Sequence, residues 1–269
     1  MCAGIDPAAN SATLTAAVAE AARGGASMLF TPEMSGLLDR DRVRAQAHIR
    51  AECDDPVLAA VRSAAREHGM WVSLGSLALR SDAHKDRLVN RSFVIDADAT
   101  VRGRYDKIHL FDVDLAHDES WRESSAYAAG DVAVVTDTPV GRLGLSICYD
   151  LRFPALYAAL SGEGATLLTI PAAFTVPTGQ AHWHVLMRAR AIESAAFVVA
   201  AAQVGLHADG RTTFGHALVV DPWGQVLLDM GSEIGVGFVE IDLKAVPAAR
   251  ARIPVIAHRR PIGVPQVQP

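Results

Sequence analysis

Paired cysteines, a surplus of positive charge and long apolar runs are all scarce in this chain of 269 residues, and each shortage removes a class of function. Its three cysteines, Cys2, Cys53 and Cys148, are an odd number without zinc-type spacing, which excludes a disulfide framework and makes a reducing cytoplasm the expected compartment. Lys and Arg number 25 against 30 Asp and Glu, a net charge of -5. No excess of cations is left to neutralise phosphates, so no nucleic-acid partner is expected. Ala195 to Val204, although strongly apolar, is about half the length of a membrane-crossing helix. No membrane association is expected. Met1 to Asn10 has neither a basic start nor a leucine-rich core, so no secretory signal is read there. Gly-x-Ser-x-Gly, Gly-x-x-x-x-Gly-Lys-Ser/Thr and Gly-x-Gly-x-x-Gly patterns are missing, which leaves serine-hydrolase, nucleotide and dinucleotide readings without support.

What is present is a core-forming composition. Half the residues are apolar and 20% are charged, far from the balance of disordered chains. A helix is predicted over Ser11 to Arg23, capped by Asn10 or Ser11, followed by a strand at Ser27 to Phe30. Another helix at Pro56 to His68 leads to a strand at Trp71 to Ala78 and a strand pair at Ser92 to Asp96 and Val101 to Tyr105. The second part reads as a strand at Leu143 to Cys148, a helix at Phe153 to Ser161, a strand at Thr166 to Ile170, a helix at His182 to Ser194, a strand at Phe197 to Ala202 and a hairpin at Ala217 to Asp229. The strand, Asp-led turn and strand from Ser92 and from Ala217 match each other, so the chain reads as a pseudo-repeat. Two such halves would bury their sheet faces against each other. One domain over residues 1–269 with layers α-β-β-α is expected.

Three strand ends carry reactive side chains. Glu33, in Phe-Thr-Pro-Glu-Met, stands where open α/β sheets place ligands, though a surface carboxylate fits the same position. Lys107, in Tyr-Asp-Lys-Ile-His-Leu-Phe-Asp, lies among apolar and aromatic neighbours and suits an oxyanion in a dry cleft or a snorkelling surface lysine. Cys148, in Ser-Ile-Cys-Tyr-Asp-Leu-Arg-Phe-Pro, ends an apolar strand before a helix start, where a helix dipole would favour thiolate; a buried, inert cysteine is the other reading. His182 and His184 are two apart on a predicted helix, which points their rings away from each other, and no metal site is expected.

Taken together, these three motifs resemble the Glu-Lys-Cys signatures of the nitrilase superfamily of carbon-nitrogen hydrolases. The similarity continues through Thr178-Gly-Gln-Ala-His-Trp, Arg188-Ala-Arg-Ala-Ile-Glu193, Asp221-Pro-Trp-Gly224 and His258-Arg-Arg-Pro261, within the Nit-type amidases and nearer their deaminated-glutathione branch than the omega-amidases. The resemblance implies an α-β-β-α sandwich that pairs into homodimers and needs no cofactor. It implies attack by Cys148 on a small-molecule amide, an oxyanion held by Lys107 and the Tyr149 backbone N–H, proton transfer by Glu33, and a second glutamate at Glu123. Arg152, Phe174 and Thr178 match substrate-contacting positions, and an arginine fork suits a carboxylate-bearing amide. One departure is His184, where the family usually has Glu, which puts any ion pair formed there in doubt. Relatives acting on nitriles or N-carbamoyl amines, and a non-catalytic scaffold, are the competing readings. Family members also open with an apolar strand ahead of the Asp6-Pro-Ala-Ala-Asn10 segment, so about five residues of strand are expected to be missing, with a loss of stability from unpaired backbone.

Overall fold

The computed structural model describes residues 1–81, 83–114 and 120–267. Helices α1 (Pro7–Arg23), α2 (Arg42–Gln46) and α3 (Pro56–His68) alternate with strands β1 (Met28–Phe30), β2 (Trp71–Ser81), β3 (His84–Ile95) and β4 (Val101–Asp106), and a small pair follows, β5 (Asp112–Asp114) and β6 (Ser120–Arg122). After β7 (Val135–Thr138) and β8 (Gly141–Leu145) come α4 (Pro154–Gly162), β9 (Leu167–Thr169), α5 (Val176–Ser194) and β10 (Phe197–Ala200). The chain closes through β11 (Val204–Leu206), β12 (Thr212–Phe214), β13 (Leu218–Val220), β14 (Val226–Asp229) and α6 (Ala245–Arg252).

One sheet has the order β1-β2-β3-β4 and the other β14-β13-β10-β9-β8-β7. The pseudo-repeat is visible in the pairing. β1 runs parallel to β2 as β9 does to β10, and each is followed by two antiparallel steps. Apolar residues of both sheets, among them Val94 and Tyr105 from the first and Leu145 and Val198 from the second, share one core, which also takes Tyr157 of α4 and Trp183 of α5. On the opposite face of the first sheet, Leu14 and Val18 of α1 and Val61 of α3 pack on Val72 and Leu74. This is the expected α-β-β-α layering.

Two helix starts differ from their sequence reading, for one reason. α1 begins at Pro7 with Asp6 as its cap, the Asp6 carboxylate accepting from the Ala8 N–H at 2.9 Å. α5 begins at Val176, with a proline in its first turn. Proline is preorganised for that position and gives up an N–H that has no helical partner there, so both helices extend back to it. Asn10, expected as a cap, is instead buried and ties Gly4 to Gly36 through its amide.

Met1 to Ile5 form no strand. The Met1 carbonyl accepts from the Val204 N–H at 3.0 Å and the Ala3 N–H donates to Gln203 Oε1 at 2.9 Å. β1 therefore ends the first sheet among the described residues, and an apolar groove of about 1010 Å³ lies beside it, lined in part by Met28, Phe30, Val199 and Leu218. No helix among the described residues is long and apolar enough to cross a membrane.

Candidate functional site

Glu33 leaves the sheet three residues beyond β1, and the chain makes room for it. β2 shifts register between Leu74 and Leu77, and a Cβ on Gly75 would collide with the backbone oxygens of Thr31 and Pro32. Only glycine permits that approach. The Gly75 N–H then donates to Thr31 Oγ1 at 3.0 Å, and Met34 takes a left-handed φ of 53° as the loop turns back.

Lys107 follows β4 and is anchored at both backbone groups, its N–H donating to the Asn90 carbonyl and its own carbonyl accepting from Gly130, each at 2.9 Å. Its side chain is 2% exposed and lies between two carboxylates, 3.0 Å from Glu33 Oε1 and 2.9 Å from Glu123 Oε2. Burial alone would depress the ammonium's pKa, but Glu123 and Glu33 outweigh it, so Lys107 stays charged well above the ordinary lysine range. Glu123 also accepts the Phe111 N–H at 2.7 Å. Asn90, on β3, donates from Nδ2 to both carboxylates, to Glu33 at 2.9 Å and Glu123 at 3.3 Å.

Cys148 comes from the other half. β8 stops at Leu145, and Cys148 opens a 3₁₀ turn over Cys148–Arg152 with a left-handed φ of 49°. A non-glycine residue in that region is strained and is held there by its surroundings. The Asp150 carboxylate does much of this. It is fully buried and accepts the Ile147 N–H at 2.8 Å, the Tyr105 hydroxyl at 2.7 Å and the His109 N–H at 3.0 Å. The expected helix dipole is absent at the thiol, because α4 begins only at Pro154. Burial, and then the neighbouring Glu33 carboxylate, push the Cys148 pKa well above the ordinary thiol value, with Lys107 opposing. The resting sulfur is a thiol beside a carboxylate, not the thiolate that the sequence suggests.

All eight residues singled out from the sequence line one cleft of about 1350 Å³, Glu33, Lys107, Glu123 and Cys148 together with Tyr149, Arg152, Phe174 and Thr178. The Arg152 guanidinium lies 5.5 Å from the Phe174 ring centroid and 5.8 Å from that of Tyr149, with Nη1 3.2 Å from His182 Nδ1. Among the described residues it forms no ion pair with a carboxylate. The Thr178 hydroxyl is 2.8 Å from that of Thr175. Sequence reasoning passed over Asn90, Asp150 and the Ala173 N–H, which donates to Glu33 Oε2 at 3.0 Å. Asn90 stands in a stretch of mixed polarity, Leu-Val-Asn-Arg-Ser, ahead of the strand expected from Ser92, so nothing set it apart, and the backbone amide left no signal either.

The carbon-nitrogen hydrolase family model matches residues 4–251. The chain belongs to that family. It is 40% identical over 237 residues to the deaminated glutathione amidase of Yersinia enterocolitica, covering 88% of this chain and 82% of the relative. The crystal structure of the Caenorhabditis elegans NitFhit protein superimposes with a TM-score of 0.88 at 38% identity, over 97% of this chain and 63% of that one. A mutant of the amidase from Nesterenkonia sp. AN1, with acrylamide added at its active-site cysteine, matches with a TM-score of 0.78 at 25% identity over 94% of each chain.

Proposed function

We propose that the chain hydrolyses an amide bond of a small, carboxylate-bearing substrate through a thioester on Cys148, releasing ammonia from a terminal amide or an amine from a substituted one. The observation that carries this reading is the Cys148 thiol lying against Glu33, itself in contact with the charged Lys107. Glu33 takes the thiol proton as sulfur bonds to the amide carbon, so the nucleophile is generated only during attack. The oxygen of the tetrahedral intermediate is held by Lys107 Nζ and the Tyr149 N–H, in a site where water does not screen the ammonium. Glu33 returns its proton to the departing nitrogen, the C–N bond breaks and ammonia or the amine leaves. Water then attacks the thioester carbon, giving its proton to Glu33, and the C–S bond breaks with the proton returning to sulfur. Glu123, with two contacts to Lys107, fixes the ammonium and balances its charge. A non-catalytic scaffold would have no use for a lysine buried between two carboxylates.

Arg152 faces aromatic rings and a histidine rather than an acid, so its fork is available to a substrate carboxylate, with Phe174 and Thr178 beside it. Deaminated glutathione, which gives the Yersinia relative its name, carries carboxylates and a secondary amide, whose cleavage would release a dipeptide amine in place of ammonia. Pairing into homodimers and a cytoplasmic location, where Cys148 stays reduced, belong to the same proposal. Release of the dipeptide amine from deaminated glutathione, and of ammonia from simpler ω-amides, nitriles and N-carbamoyl compounds, tests the reading. The expected order places deaminated glutathione first, and turnover of nitriles or carbamoyl amines alone overturns it.

A further inference from the structure

Outside the lining of the cleft, three residues meet that the proposed reaction does not use. His184 Nε2 lies 2.8 Å from Asp229 Oδ2, and His216 Nδ1 lies 2.9 Å and 3.1 Å from the two Asp229 oxygens. One ligand atom from each residue falls within 4.8 Å of the others. His182, the histidine two positions away, is turned to Arg152 instead. The three are held from outside the cluster. His216 has a left-handed φ of 57°, its N–H donates to the Gly231 carbonyl at 2.6 Å, and its carbonyl accepts from Trp183 Nε1 at 2.9 Å. Its ring stacks on Phe214 with centroids 4.4 Å apart, and the His184 ring stands edge-on to it at 5.0 Å. Asp229 Oδ1 accepts the Gly231 N–H at 2.9 Å.

We propose that His184 Nε2, His216 Nδ1 and the Asp229 carboxylate form a binding site for a divalent transition-metal ion of the zinc class, with water completing the coordination. Two imidazoles and one carboxylate suit Zn²⁺, Co²⁺ or Ni²⁺, whereas Mg²⁺ and Ca²⁺ require mainly oxygen. Ligands at about 2.0 to 2.1 Å from a tetrahedral ion stand about 3.3 Å apart. The present separations of 2.8 and 2.9 Å need open only slightly to reach that spacing. The ion replaces the two ring N–H donors that now face Asp229, and each neutral imidazole carries its proton on its other nitrogen, so no redox partner or co-reactant is involved. The backbone strain at His216 and the amide of Gly231 preorganise two of the ligands, as outer contacts do at metal sites. Side-chain exposures of 38% for His184, 30% for His216 and 31% for Asp229 leave the ion a path from solvent. The ligands come from three separate segments, His184 lying 45 positions and His216 13 positions before Asp229, and so make no sequence motif.

The test is titration of the full chain, stripped with EDTA and dialysed, with Zn²⁺ by calorimetry, alongside His184→Gln, Asp229→Asn and His216→Asn. Asparagine tolerates the left-handed backbone at that last position. The wild type should take up one ion of this class per chain, and each substitution should weaken uptake about ten-fold or more, the loss that even an outer contact causes. Zn²⁺ should raise the melting temperature of the wild type and not of the variants. Co²⁺ should give visible d–d bands without the near-ultraviolet charge transfer of a thiolate ligand, which separates this site from the cysteines. Melting in EDTA identifies any variant that fails to fold, and the remaining variants then decide. No uptake by the wild type, uptake unchanged in the folded variants, or a thiolate spectrum overturns the proposal.

Discussion

The loops that follow β1 and β9 begin alike and end differently, and the difference makes the site. Met28 pairs with Trp71 as Leu167 pairs with Phe197, so Thr31 and Ile170 are equivalent positions, and each is followed by proline. The Thr31 N–H donates to the Ser73 carbonyl at 3.0 Å, and the Ile170 N–H to the Val199 carbonyl at 2.9 Å. Beyond the proline the second half stays beside its neighbour, the Ala172 N–H donating to the Ala201 carbonyl at 2.9 Å. In the first half the next backbone-to-backbone bond comes only from the Ser35 N–H to the Ser76 carbonyl, at 3.0 Å, and between them Glu33 points across the sandwich. There it receives the Ala173 N–H from the equivalent loop. One repeat therefore supplies buried charge, through Glu33, Lys107 and Glu123. The other supplies the thiol and the backbone donors. Neither half holds a complete site.

Removing the central group of each half gives the largest expected effects. Cys148→Ala deletes the nucleophile, and turnover should fall about 10⁴-fold or more, in line with nucleophile deletions elsewhere. Its fold should persist, because the change removes a single buried sulfur. Retention of a tenth of the wild-type ammonia release would sink the thioester route. Glu33→Gln keeps the shape but not the proton transfer, and should lower kcat by about 10² to 10⁴-fold. The two losses should not add, since a thiol without its base and a base without its thiol disable the same step. A double variant clearly worse than Cys148→Ala would show that the halves act independently.

The layers and the repeat were legible in the sequence because each depends on local pattern. Glu33, Lys107 and Cys148 stood out as charged or reactive residues at the ends of apolar strands, but each also fitted a structural reading, and the resemblance to a family was what joined them and alone supplied Glu123. The environment of Cys148 was not legible. A strand followed by Pro154 reads as a strand joined to a helix, whereas a left-handed residue and a 3₁₀ turn intervene and leave the thiol without a dipole. Its raised pKa comes first from burial that no local window contains, and then from Glu33, a residue 115 positions away in sequence. His184 shows the converse. Its departure from the family pattern put an ion pair in doubt, and in the fold it finds Asp229 on a strand from the far end of the chain.

A smaller effect tests how the second half sorts substrates. If Arg152 grips a carboxylate, Arg152→Lys should raise KM about ten-fold for acidic amides, because lysine cannot reproduce a planar two-point contact. Neutral amides should keep their KM and both should keep kcat. Equal losses on neutral and acidic amides, measured by initial rates, would assign Arg152 to packing against Tyr149 and Phe174 instead.

The smallest effect is on stability, and it isolates the contact across the halves. The folded chain holds the Cys148 proton to higher pH than the unfolded chain does, because of burial and then Glu33. Below the ordinary thiol pKa of about 8.5 both states carry the proton and this contribution to stability is fully present. Above it the unfolded chain releases the proton first, so stability is lost as pH rises toward the folded value. The slope cannot exceed about 1.4 kcal/mol per pH unit for one group, or about 2 to 4 °C of melting temperature for a chain of this size. Cys148→Ala has no thiol to titrate, so its melting temperature should fall less steeply than the wild type's between about pH 8.5 and 10. Lys107 and the tyrosines titrate in both proteins and cancel to first order in the difference. Parallel curves would mean that the folded thiol ionises at least as readily as a free one, and would overturn the reading that burial and Glu33 hold its proton.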